Sequence, residues 1–286
     1  MKTLYTKDLK PSEIQNYLQY AIAPRPICFA STIDKEGRIN LSPFSFFNMF
    51  SSNPPICIFS PARRVRDNTT KHTLENVLEV PEVVINIVDY SMVQQTSLAS
   101  TEYAKDVNEF EKAGFTMEKS IMVKPPRVKE SPVQLECKVI EVKPLGENAG
   151  AGNLVIAEVV AFHINENILG EDGKIDQEKI ELVARLGGDW YCKVSKDNLF
   201  KVAKPLSTLG IGVDAIPEKI RHSSILTGNN LGQLGNVEHL PSAEEIAEVK
   251  NITVGKSELE VHALAKSLLD KGDVVGAWKA LLSYEL

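Results

Sequence analysis

Two short stretches of this chain concentrate groups that bind small polar ligands. The first, Pro24 to Pro55, reads PRPICFASTIDKEGRINLSPFSFFNMFSSNPP. An apolar strand carries the hydroxyl pair Ser31 and Thr32, and beyond a polar turn a second run holds Asn40, Ser42, Pro43, Phe44 and Ser45. Proline cannot donate to a strand ladder, so Pro43 predicts an edge, a bulge or a bent backbone with free N–H and C=O groups. Hydroxyls, an amide and free backbone groups beside aromatic surface suit a flat ring with polar edges. A core strand with a proline bulge is the competing reading, because aromatic stripes usually pack.

The second stretch, Ser60 to Val77, reads SPARRVRDNTTKHTLENV. It follows a strand-like run and leads into a helical one, Lys71 to Glu79. Arg63, Arg64, Arg66 and Lys71 stand close to the hydroxyls of Ser60 and Thr73 and to a helix N-terminus. Charge-assisted donors, hydroxyls and oriented N–H groups together suit a phosphate. A solvated basic loop is the alternative. A third segment, Arg185-Leu-Gly-Gly-Asp-Trp-Tyr-Cys, is read as the end of a helical stretch, Asp176 to Ala184, closed by Gly187 and Gly188.

Other chemistries are poorly served. The chain has no G-x-S-x-G elbow, no H-E-x-x-H and no Cys-His signature. His72, His163, His222, His239 and His262 never pair at helical ligand spacing with a carboxylate, so no metal site is expected. Glycines 146, 150 and 152 lack dinucleotide-loop spacing and precede a strand, so they read as a turn. An enzyme of this composition would rely on a bound cofactor.

The elements that must hold these residues are mostly strands. Runs rich in Val, Ile, Phe and Thr are predicted at Ile27 to Thr32, Asn40 to Phe47, Pro55 to Ser60, Glu82 to Val88, Val133 to Val142 and Leu154 to Ile164. Helices are predicted over residues 8–20, after the arginine cluster, and over Ser91 to Ser100. Hairpin-linked strands with few helices favour a closed antiparallel barrel over a doubly wound sheet. After Tyr191 the composition shifts: residues 196–240 hold short apolar segments broken by Gly and Pro, and residues 242–286 look helical, with an amphipathic helix at Ser257 to Leu269. Residues 1–195 are therefore expected to form one domain and 196–286 an α-rich extension that packs on the barrel or on a partner subunit.

With 286 residues the chain can bury a full core, and its 43% hydrophobic and 24% charged residues are ordinary for a globular protein. A net charge of −6 argues against nucleic acid as a partner. Cys28, Cys57, Cys137 and Cys192 are scattered without zinc spacing, which suggests free thiols in a reducing compartment. No signal-type start or membrane-spanning run is visible, so a cytoplasmic protein is expected.

Taken in order, PRPICFASTID, GRINLSPFSFFNMFSSNPPICIFS, the arginine and TKHTLENV segment, VNEFEKAGF and RLGGDWYCKV resemble the flavin reductase-like family of FMN-binding split-barrel proteins, which includes flavoredoxin. The resemblance covers residues 20–195. It implies a mainly β fold, a six-stranded antiparallel Greek-key barrel with peripheral helices, and a homodimer with FMN near the subunit interface. On this sequence it implies that Ser31, Thr32, Asn40, Ser42, Pro43, Phe44 and Ser45 line the ring and ribityl chain, and that Ser60, Arg64, Lys71 and Thr73 hold the phosphate. Where the family often has Lys-Asp-Thr, this chain has Lys71-His72-Thr73, so the role of that carboxylate is in doubt here. The implied activity is an FMN-dependent NAD(P)H:flavin oxidoreductase or a flavoredoxin-like electron carrier. NADH or NADPH would be a transient donor, and a free flavin, a metal ion, a monooxygenase or another protein the acceptor. A non-catalytic flavin-binding carrier is the alternative.

Overall fold

Six consecutive residues of the first strand are buried or nearly so, and the reason is that both of its faces are covered. The protein is described here from a computed structural model, over residues 1–247 and 249–285. A first helix, α1 (Pro11–Ala21), leads into β1 (Cys28–Ile33). Cys28 and Ala30 point into one apolar core, while Phe29 and the preceding Ile27 point into another. Period-two alternation thus serves two layers at once, and the strand reads as a continuous apolar run.

The strands β2 (Ile39–Phe44), β3 (Phe47–Ser52) and β4 (Pro55–Phe59) follow; then come α2 (His72–Glu79), β5 (Glu82–Ile87), α3 (Val93–Leu98) and α4 (Glu109–Ala113). A small pair, β6 (Met117–Glu118) and β7 (Arg127–Val128), precedes two long strands, β8 (Val133–Pro144) and β9 (Asn153–Ile164). The main sheet has seven strands in the order β2-β1-β5-β8-β9-β4-β3, each pair antiparallel. Its two edge strands, β2 and β3, are consecutive in the chain and joined only by Ser45 and Phe46. A link that short forces the sheet to roll up until its edges meet, yet β2 and β3 do not pair with each other. The result is a barrel that is closed in outline and split along one seam.

Seven strands replace the expected six because Asn40 to Phe47 is not one strand. The chain leaves the β1 side after Phe44 and restarts at Phe47 against β4, where Phe47 faces Phe59. The glycine-bearing segment between β8 and β9 is a hairpin turn, as its composition suggests, with Pro144 opposite Asn153.

The outer layer explains the VNEFEKAGF run. Asn108 Oδ1 accepts the Phe110 N–H at 3.0 Å and caps α4, and Gly114 ends it in the left-handed region at φ 72°. Phe110, Ala113 and Phe115 are buried against β1 and β2, with Phe115 edge-on to Phe29 at 5.2 Å.

The helix expected over Asp176 to Ala184 does not form. Instead β10 (Val183–Arg185) pairs with β11 (Tyr191–Lys193), and Gly187 and Gly188 make the reversal between them. The backbone there is committed elsewhere: Tyr90 N–H donates to Glu181 O at 3.0 Å and Val194 N–H to Leu182 O at 2.8 Å. Gly187 is required by close approach, since a Cβ there would lie 2.3 Å from the ring of Tyr20.

The chain divides into two compact units, Met1–Leu199 and Phe200–Leu286. The second is helical: α5 (Glu218–Arg221), α6 (Gly228–Gly235), α7 (Ala243–Ala247), α8 (Lys250–Thr253), α9 (Glu258–Asp270) and α10 (Val274–Glu285). It has its own core, centred on Ile220, Leu234, Val261, Leu269 and Trp278. Ser257 caps α9 in a reciprocal box with Glu260. No helix among the described residues is long and apolar enough to cross a membrane.

Candidate functional site

The seam of the barrel leaves one edge of β2 free, and the chain uses that edge. The Leu41 N–H points away from β1 and donates to Glu109 Oε2 at 2.9 Å. Two residues on, Pro43 occupies an equivalent outward position, where a missing N–H costs no ladder bond. Asn40 and Ser42, of opposite orientation, face the start of α2, and Asn40 Nδ2 donates to Thr73 Oγ1 at 2.8 Å. Asn40, Ser42, Arg64, Lys71 and Thr73 thus line one narrow cleft, about 20 Å³, together with Glu109 and the 99–103 segment.

Positive charge gathers at its mouth. The backbone of the arginine loop is pinned to the β8–β9 turn, with Arg63 N–H donating to Ala151 O at 2.8 Å. Arg63 turns to Asn68, and Arg66 bonds Asp67 and Glu102. Arg64 reaches the cleft but is occupied, with Nε on Glu102 Oε1 at 3.0 Å, a bond to Thr69, and a close contact with Thr70 O. Lys71 differs: half-buried, it has neither ion pair nor hydrogen bond for its ammonium group among the described residues, and it lies over the Phe44 ring at 5.8 Å. Burial first, and Arg64 next, lower its pKa below the usual lysine value. Burial likewise lowers the pKa of His72, opposed by Glu75. Lys71 is also the N-cap of α2, and no side chain caps that helix. Its first-turn N–H groups therefore lack a side-chain acceptor.

Two larger cavities flank the cleft. One, about 590 Å³, includes Pro43, Ser45, Tyr90, Arg185 and Tyr191 and shares Ser100 with the cleft. The other, about 660 Å³, is walled by Ile14, Leu18, Ile22 and Phe46 and shares Arg64, Lys71 and Glu102 with it. Both volumes are in the range of cofactor and substrate sites.

The remaining residues expected at the site sit elsewhere. Ser31 is fully buried, and its hydroxyl has no hydrogen-bond partner among the described residues. Thr32 Oγ1 accepts from Asn76 Nδ2 at 3.2 Å, Phe44 packs on Phe59 in the barrel core, and Ser60 Oγ accepts the Asn153 N–H at 3.1 Å. None of these four lines the cleft or the cavities beside it. Glu102 and Glu109 were not foreseen from the sequence. Glu109 lies inside the VNEFEKAGF motif, where an acid between a cap residue and a core phenylalanine was the available signal. Burial raises the pKa of Glu109 above the usual glutamate value, opposed by the Leu41 N–H.

Residues 20–179 match the flavin reductase like domain family, more than half of the chain. The chain belongs to that family. Its fold is the split barrel and its function that of a flavin-related reductase, while the helical second unit lies outside the matched residues. Among solved structures it is similar to nitrilotriacetate monooxygenase component B from Bacillus cereus, at 30% identity and a TM-score of 0.66 over 71% of this chain and 98% of that one. It is also similar to a split barrel domain protein from Shewanella frigidimarina NCIMB 400, at 29% identity and a TM-score of 0.59 over 69% of this chain and 95% of that one. An uncharacterized protein of Aquifex aeolicus (strain VF5) is 38% identical over 63% of this chain and 90% of its own length.

The residues of this flavin reductase-like chain fit a flavin. The lone ammonium of Lys71 and the uncapped start of α2 offer donors to a phosphate, and the adjoining cavities have room for a ring. The Arg64–Glu102 pair is the one element that resists, since an anion entering the cleft competes with Glu102 for Arg64.

Proposed function

We propose that the protein is an FMN-dependent oxidoreductase, an NAD(P)H:flavin reductase or flavoredoxin-like electron carrier. The observation that carries this reading is Lys71, a half-buried cation with no ion pair or hydrogen bond among the described residues, at the N-terminus of a helix without a side-chain cap, in a cleft that shares residues with two ring-sized cavities. Bound FMN would supply hydride and electron transfer between a nicotinamide and an acceptor. Lys71 and the first turn of α2 bind the phosphate, and Arg64 joins them once Glu102 yields. Asn40 orients Thr73, and Ser42 offers a hydroxyl along the ribityl path. Pro43 and Ser45 border the ring with backbone groups of the free β2 edge.

No side chain is assigned proton transfer in this scheme, and positioning is the protein's contribution. NADH or NADPH binds transiently beside the ring. A homodimer completes the reading, because β3 is an edge strand that exposes Met49 at 67% and Phe50 at 64%. Three buried free thiols, Cys28, Cys57 and Cys137, suit a reducing cytoplasm.

The test is spectroscopic. The full-length protein, titrated with FMN, is expected to bind it and to acquire a protein-bound flavin spectrum. Anaerobic NADH or NADPH then bleaches that spectrum. Bleaching by neither donor would leave a carrier without reductase activity, and failure to bind FMN would remove the cofactor assignment altogether.

A further inference from the structure

Arg25 and Arg185 stand directly opposite each other in an antiparallel bridge, exchanging both backbone hydrogen bonds at 2.9 Å. Like charges in that relation repel. Neither guanidinium has a carboxylate partner among the described residues. Arg25, only 8% exposed, is held by the carbonyls of Gln19, Ile22 and Leu186 and reaches Ser45 Oγ at 3.4 Å. Arg185 has no such anchor for its side chain. It stacks on the Tyr191 ring at 4.5 Å and lines the 590 Å³ cavity.

Two other charged side chains line that cavity. Lys193 is paired with Glu181 at 2.6 Å and lies over Tyr90 at 4.2 Å, while Asp189 brings a negative charge. With Lys193 taken up by Glu181, Asp189 offsets Arg185 in the cavity's net charge, which disfavours a phosphate dianion, while Arg185 itself has no ion pair among the described residues and is the cation open to a monoanion. The planar fork of arginine matches a carboxylate with two parallel bonds. The other lining groups include Ile27, Pro43 and Tyr90, flat or apolar surfaces that accept a planar ring.

We infer that the Arg185 end of this cavity, beside the flavin ring bordered by Pro43 and Ser45, is the site of a second substrate, a planar aromatic carboxylate, with Arg185 taking the carboxylate and Tyr90 bounding its ring. This rests on the flavin reading, because Pro43 and Ser45 border the cavity and Ser100 is shared with the phosphate cleft. The second substrate is thereby set against the β2 edge.

The experiment is calorimetric titration of the full-length protein with benzoate, before and after loading with FMN, using benzamide as the neutral isostere. Benzoate binds, and benzamide binds at least tenfold more weakly. Arg185→Met weakens benzoate about 10- to 100-fold, Arg185→Lys weakens it less, and FMN affinity of both variants stays within about twofold of the wild type. Tyr90→Ala, in the same cavity lining, lowers benzoate affinity severalfold and serves if the arginine variants fail to fold. Benzamide binding as tightly as benzoate, or benzoate binding unchanged in Arg185→Met, overturns the inference. A tenfold loss of FMN affinity in Arg185→Met also overturns it, by assigning the cavity to the flavin itself. A wild type that binds benzoate but not FMN would instead sink the flavin reading and leave the carboxylate site standing.

Discussion

The ammonium of Lys71 stands 5.8 Å from the centroid of the Phe44 ring and meets no carboxylate among the described residues. Phe44 is a core residue of the barrel, so the same side chain that packs in the apolar interior also lies under the Lys71 ammonium without lining the cleft itself. A cation kept on an aromatic face without a direct ion pair is predisposed to bind an anion.

Replacing Lys71 by Ala is expected to weaken FMN binding by about 1.5 to 3 kcal/mol, the range for a charge-assisted bond. Its pKa is lowered from 10.5, chiefly by burial, and only the protonated form attracts a phosphate. Wild-type affinity should therefore hold below that lowered pKa and decline as pH rises through it, beginning before the usual lysine range. The Lys71→Arg protein keeps its charge and should show no decline there. Fluorescence titrations of FMN across alkaline pH read both effects.

Glu102 competes with the ligand for Arg64. Glu102→Gln should therefore tighten FMN binding, by about two- to fivefold, since exposed ion pairs are weak. Added salt should shrink the difference between the two proteins. Looser binding by Glu102→Gln would show that the carboxylate supports the site instead of occupying it.

Glu109 holds the free edge of β2 through the Leu41 N–H. Glu109→Ala leaves that buried donor unpaired and should lower stability by about 1 to 3 kcal/mol. Glu109→Gln keeps an acceptor. Because the folded pKa of Glu109 lies above its unfolded value, the folded state binds the extra proton, and stability falls as pH rises from below 4.5 through the folded pKa. Gln at this position should flatten that fall and be at least as stable as Glu near neutral pH. Urea unfolding of the three proteins at several pH values reads the sign.

Ser31 is fully buried, with no hydrogen-bond partner for its hydroxyl among the described residues. Ser31→Ala should accordingly raise stability by about 1 kcal/mol while leaving FMN affinity unchanged. Loss of FMN affinity in this variant would restore Ser31 to the ligand-binding residues.

Trp278 is buried at the centre of the second unit and donates its indole N–H to Leu234 O at 3.0 Å. Trp278→Ala should cost that unit about 3 to 5 kcal/mol. Thermal unfolding followed by circular dichroism should show a helical transition moved to lower temperature.

Much of the molecule was determined by sequence alone. The apolar run from Ile27 to Thr32 and the long runs of β8 and β9 specify strands, the amphipathic pattern from Ser257 to Leu269 specifies α9, and residue type alone marks Lys71 and Thr73 beside Asn40 and Ser42. Each of these signals is local, encoded in side-chain type at a fixed spacing. Only tertiary structure could separate Ser42, which reaches the cleft, from Ser31 and Ser60, which are taken up by the core and by β9, because a hydroxyl carries no mark of the face it will occupy. The same holds for Asp176 to Ala184, where a helical pattern lost to backbone partners supplied by Tyr90 and Val194 from outside the segment. The pairing of Arg25 with Arg185 and the arrival of Glu109 at Leu41 join residues distant in the chain, and no spacing rule reaches across that distance. Rolling the sheet until β2 and β3 met was what brought the ring-side, phosphate-side and acidic residues to one seam.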